Sequence, residues 1–141
     1  FEKEEKEVES KVRFYKYLPI EDLPFDLSKE VDLVNIKQIN KLFEIFSKMK
    51  TGYRKLKVIT KIQEIISDKY YEKYNKTGGA DELFPILFYV YTISNLKNPF
   101  SELMFLIDFH KYDNLTGING YCLTNYVAII SLIRKNDLIL N

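Results

Sequence analysis

Apolar residues recur at intervals of three and four along most of this chain, and clean alternation in twos is almost absent. With only 5 Gly in 141 residues, that periodicity predicts an all-helical domain and leaves little room for a sheet. At 46% hydrophobic and 15% aromatic residues the composition is that of a packed globule of one-domain length. The balance of 21 basic against 20 acidic residues, a formal charge of +1, argues against a nucleic-acid binder. One Cys, Cys122, cannot close an internal disulfide, and one Cys with one His makes a structural zinc site improbable. A reducing compartment fits, and no cofactor or metal is expected. The longest apolar stretch, Leu83 to Ile93, has eleven residues and contains Pro85, whereas a membrane span needs about 20. The opening, Phe1 to Ser10, is rich in Glu and Lys, unlike a signal peptide, and without an initiator Met the chain reads as a piece of a longer protein.

Glu2 to Leu18 reads as a solvated helix with one modest apolar stripe of Val8, Val12 and Tyr15. Pro19 and Pro24 then mark a connecting segment, so residues 1–32 are expected to precede the domain proper, which starts at about Leu33. A helix carrying Ile36, Ile39, Leu42, Phe43, Phe46 and Met49 is expected to end at Thr51-Gly52. The next, Tyr53 to Tyr74, buries Leu56, Ile59, Ile62, Ile66 and Tyr70. Its outer side is read as basic, with nine Lys or Arg against three acids between Lys48 and Lys76. Such a run is usually a solvated face, with contact to anionic lipid or nucleic acid as the alternative, although little aromatic interleaving suggests stacking on bases. Asn98-Pro99 suggests an N-cap and a first-turn proline opening a helix through about Tyr112. A loop from Asp113 to Gly120 precedes a last helix, Tyr121 to Lys135, which gives about six helices in all.

Two of these helices carry apolar residues on more than one face. From Ala80 onward, Leu83, Ile86, Leu87, Val90 and Ile93 share one side, while Asp81, Pro85, Phe88 and Thr92 share the other. A second apolar face is either buried or offered to a partner. Asp81 favours the partner, because an unpaired carboxylate is costly to bury; capping its own helix is the structural alternative. In the last helix Leu123, Tyr126, Ile130 and Ile133 oppose Tyr121, Thr124, Asn125, Ala128 and Leu132. That second set mixes an aromatic, hydrogen-bonding groups and a small residue, as protein interfaces do, although packing on a neighbouring helix would use it equally.

The runs Gly79-Ala80-Asp81-Glu82-Leu83-Phe84-Pro85 and Gly120-Tyr121-Cys122-Leu123-Thr124-Asn125, about 40 residues apart, resemble the vacuolar-protein-sorting-nine (VPS-nine) domain. Asn98-Pro99 to Phe109 resembles the helix between them, and Arg54-Lys55-Leu56 the start of an earlier one, so the resemblance covers roughly Leu33 to Lys135. It implies a compact all-helical guanine-nucleotide exchange factor for endosomal GTPases of the Rab-five group. The partner would be engaged both GDP-bound and nucleotide-free, in the cytoplasm and at early endosomes, with peripheral contact to anionic membrane. The family's critical aspartate carries over to Asp81, its tyrosine to Tyr121, its proline to Pro85 and its threonine to Thr124; Asn125 takes a supporting part. Phe88 and Ala128 complete the expected GTPase-binding groove. Glu82 replaces a common second aspartate and Cys122 a common aromatic, both off the proposed contact stripes. The rival reading is a helical interaction module without exchange activity. A hydrolase has little support: His110, the lone His, is placed by spacing at a core edge, and Cys122 reads as a small buried hydrophobe.

Overall fold

Asn35 and Thr51 cap the helices that follow them, their side chains accepting the amides of Gln38 and Arg54 at 3.2 Å each. The computed structural model describes residues 1–112 and 117–135. In chain order its helices are α1 (Glu2–Lys16), α2 (Ile36–Lys48), α3 (Gly52–Tyr74), α4 (Ala80–Ile93), α5 (Pro99–Tyr112) and α6 (Gly117–Lys135). Short 3-10 turns lie at Ile20–Asp22 and Val31–Leu33, and the described residues include no strand. The domain is therefore all-helical, as the periodicity predicts.

Thr51-Gly52, read from sequence as a stop, is the start of α3. Glycine is required there by close approach: a Cβ on Gly52 would lie 2.3 Å from Cγ of Phe109 in α5. α3 ends at Asn75, whose φ of 54° is the left-handed turn that asparagine tolerates. α3 is central, packing against α2, α4, α5 and α6 through Leu56, Ile59, Ile62 and Ile66, each almost fully buried. Residues 113–116 of the expected Asp113–Gly120 loop lie outside the described residues. Gly117 to Gly120 form the first turn of α6, one turn earlier than expected.

α1 does not stand apart from the rest. It packs against α4, α5 and α6, and Val8 and Tyr15 belong to the same core as the later helices. Thus the segment 1–32, expected to precede the domain, shares its hydrophobic core. The start of α5 shows how closely. Asn98 has φ 52°, and its carbonyl accepts the Glu102 amide at 2.9 Å. The amides of Phe100 and Ser101 donate instead to the buried carboxylate of Glu5, at 3.2 and 2.7 Å. An acid 95 residues upstream thus caps α5, where its charge also complements the helix dipole. Glu5→Ala should cost about 1–2 kcal/mol in urea denaturation, with Glu5→Gln recovering part of it because its amide oxygen still accepts.

The basic outer side expected for α3 is kept except at Lys55. Lys55 is buried, its ammonium donating to the Phe46 carbonyl at 2.9 Å and to Glu102 at 2.7 Å. Lys73 pairs with Asp32 at 2.9 Å and Lys48 with Glu44 at 3.2 Å. Arg54, Lys57, Lys61 and Lys69 stay exposed, with no ion pair among the described residues, so the outer side of α3 is basic apart from Lys55.

Candidate functional site

α4 begins after two glycines with different tasks. A Cβ on Gly78 would meet Cδ1 of Tyr70 at 2.9 Å, so only glycine lets this loop lie against α3. Gly79 is the N-cap, and the Glu82 carboxylate folds back beside it, 3.0 Å from where a Cβ would stand. Glu82, at the third helical position, therefore takes the place from which an acid supports a helix start. Asp81 is left exposed, with no ion pair or side-chain hydrogen bond among the described residues. Pro85 lacks the amide that would bond the Asp81 carbonyl in the regular i to i+4 pattern.

Further along α4 the expected second face closes. Phe88, predicted as a GTPase-binding residue, is 0% exposed, and Thr92 is equally buried. The Phe88 ring packs edge-on against Tyr15 of α1 at 5.1 Å and Phe25 of the connecting segment at 5.4 Å. The Thr92 hydroxyl satisfies itself on the Tyr89 carbonyl at 3.0 Å. A wheel drawn for α4 alone cannot show this, because the covering residues lie some 60 to 75 positions upstream. Pro85 stays half-exposed, so the open part of the face is its first turn and a half, around Asp81 and Pro85.

α6 keeps the division expected of it at Tyr121, Thr124 and Ala128, whereas Asn125 and Leu132, expected on the same open face, are partly buried. Cys122, Leu123, Tyr126, Ile129, Ile130 and Ile133 are buried, while Thr124 and Ala128 are exposed and Tyr121 is 39% exposed. Tyr126 donates its hydroxyl to the Pro99 carbonyl and packs on Tyr91 of α4, ring centres 4.9 Å apart. Burial pushes the phenols of Tyr91 and Tyr126 above their usual range, so both stay protonated. Two polar bridges fix α6 on α3: the Thr60 hydroxyl donates to Asn119 Oδ1, and Asn125 Nδ2 donates to Gln63 Oε1, each at 3.0 Å. Asn125 thus orients α6 from within. Burial raises the Cys122 thiol, partly offset by the Thr60 hydroxyl, which makes it a poor nucleophile.

Tyr121 and Thr124 line a shallow depression with Ile107 and His110 of α5 and with Val127 of α6. The described lining of that depression comes from α5 and α6 and does not include Asp81 or Pro85. His110 is exposed there. The sequence reading missed Ile118 and Val127, exposed at 53% and 37% on the same helix. Ile118 precedes Tyr121 by three positions, and carrying the wheel back through Gly120 would have found it. Among the described residues no cluster of His, Cys, Asp or Glu could hold a metal ion.

These features define an all-helical domain whose unsealed surface is a set of contact residues, a free carboxylate on α4 and a mixed aromatic and hydroxyl face on α6. The family model of the vacuolar sorting protein 9 (VPS9) domain matches residues 36–138. The chain belongs to the VPS9 domain family. It is similar to the proteins named Ras and Rab interactor 2 of Homo sapiens and of Mus musculus, in each case 24% identical over 104 residues. Those matches cover 74% of this chain and 12% of either relative's length.

Proposed function

We propose that this domain is a guanine-nucleotide exchange factor that promotes GDP release from a Rab GTPase of the Rab-five group. The observation that carries the reading is Asp81, exposed and without an ion pair or side-chain hydrogen bond among the described residues. Membership of the VPS9 family and similarity to proteins named Ras and Rab interactor 2 support the partner class. A small GTPase holds nucleotide phosphates through a phosphate-loop lysine and Mg²⁺. The Asp81 carboxylate offers that lysine a substitute anion, while Pro85, Tyr121, Thr124 and Ala128 hold the switch regions away from Mg²⁺. Asn125 keeps α6 in register for this contact. Preferential binding to the nucleotide-free GTPase drives release, and nucleotide weakens the complex by the same coupling energy. No covalent bond is made or broken.

The domain acts at early endosomes on the cytoplasmic side, with peripheral contact to anionic membrane. No described helix is long and apolar enough to cross a bilayer.

The test is release of a fluorescent GDP analogue from a panel of Rab proteins. Asp81→Ala should slow release by about 100-fold, the equivalent of about 2.7 kcal/mol, and Tyr121→Ala by at least about tenfold. Neither should shift the urea midpoint appreciably, since both side chains face solvent. No response from any Rab, or full activity in both folded variants, refutes the assignment. Equal binding to GDP-bound and nucleotide-free GTPase would favour the non-catalytic interaction module.

A further inference from the structure

Two neighbouring depressions meet at the connection between α4 and α5. One lies against the C-terminal half of α1 and includes Arg13, Lys16 and Lys97; the other lies against α2 and includes Lys37, Lys41, Lys48 and Lys97. They share Asn95 and Lys97, so six cations from three separate parts of the chain line one continuous surface. The acids lining it are Glu9 and Glu44, the latter paired with Lys48. On the far side of Lys37 and Lys41 a further depression includes Asp68 and Glu72 together with Lys69. Among the described residues Arg13, Lys37, Lys41 and Lys97 have no carboxylate partner.

The surface is held together by polar contacts. Lys16 donates to Asn95 Oδ1 at 3.3 Å, and the Asn95 amide donates to Asn40 Oδ1 of α2 at 2.7 Å. These bonds tie α1, the α4–α5 connection and α2 into one platform. At its α1 edge Tyr17 is 78% exposed, beside a shallow apolar hollow formed by Phe14, Tyr17 and Leu18 with Arg13. Cations flanking an exposed aromatic and aliphatic edge match the headgroup region of a bilayer, where anionic lipids attract Lys and Arg and aromatic rings sit at the interface. An acidic protein partner gives the apolar hollow no such role, and a nucleic acid would favour several rings for stacking.

We infer that the platform of Arg13, Lys16, Lys37, Lys41, Lys48 and Lys97, edged by Tyr17, is the surface through which this domain rests on an anionic membrane. It builds on the membrane-contact part of the functional reading and is independent of nucleotide exchange. It places that contact, edged by Phe14, Tyr17 and Leu18, on a different surface from the exposed basic residues of α3, which serve as the comparison below.

The test is cosedimentation of the 141-residue chain, with no GTPase present, on phosphatidylcholine vesicles with and without phosphatidylserine. Each basic contact is worth about fivefold in affinity, so Arg13→Gln/Lys41→Gln/Lys97→Gln should weaken binding about 100-fold. The control Lys57→Gln/Lys61→Gln/Lys76→Gln removes the same charge from exposed positions along and just beyond α3 and should stay within about twofold of wild type. Tyr17→Ala should weaken binding further, and raised salt should abolish it. The inference fails if the wild type ignores phosphatidylserine vesicles at low salt, or if the control loses as much as the platform variant. It also fails if the platform variant keeps vesicle binding but loses exchange in vesicle-free solution, which would make the platform a GTPase contact. A platform variant that leaves the vesicles yet exchanges normally in solution upholds it.

Discussion

Phe88→Ala should destabilise the domain by about 3–5 kcal/mol in urea denaturation, the range for emptying a buried aromatic site. The ring is wholly enclosed, and it is the point where α4, α1 and the connecting segment meet: Tyr15 lies 5.1 Å and Phe25 5.4 Å from its centre. Truncation opens a cavity on three elements at once, and aromatic pairing worth about 0.5–1.5 kcal/mol per contact goes with it. Phe88→Leu, which keeps most of the apolar volume, should lose appreciably less. The fraction of Phe88→Ala that remains folded should exchange nucleotide as well as wild type. A variant that kept its stability and lost exchange would restore Phe88 to the GTPase contact, where its position beside Pro85 on the helical wheel had put it.

Lys55→Met should cost about 3–5 kcal/mol, for an electrostatic reason. The ammonium lies between the Phe46 carbonyl at 2.9 Å and the Glu102 carboxylate at 2.7 Å, and 4.6 Å from the centre of the Phe46 ring. One cation therefore satisfies the end of α2, projects from α3 and pairs with the first turn of α5. Removing it strands Glu102 at 18% side-chain exposure with no counter-charge. The double variant Lys55→Met/Glu102→Gln should recover much of the loss, since neither charge is then left unpaired. A double-mutant cycle by urea denaturation measures the coupling. Additive losses in the two single variants would mean that the pair is not coupled, and that Lys55 matters through its stem alone.

Much of the helical pattern was legible without coordinates, for local reasons. α2 and α3 follow from their apolar periods, and so do the buried side of α6 and the exposure of Tyr121, Thr124 and Ala128 on its other side. On α4 the first turn was legible as the open part, with Asp81 exposed and Pro85 half-exposed. The failures share one origin. Phe88 and Thr92 were misplaced, α1 was not seen to share the core, Lys55 was assigned to the outer side, and the Glu5 carboxylate at the head of α5 was not foreseen. In each case the deciding partner lies 9 to 95 residues away in the chain.

What the sequence determined alone is whatever a turn or two of helix can decide: the secondary-structure class, most helix starts and stops, which side of each helix is apolar, and the two motif runs that carry the family resemblance. The tertiary structure decided which apolar faces are covered and which charges are used up. Burial and ion pairing depend on proximity in space, and only folding brings Glu5 to the head of α5, Tyr15 and Phe25 onto Phe88, and cations from α1, α2 and the α4–α5 connection onto one surface.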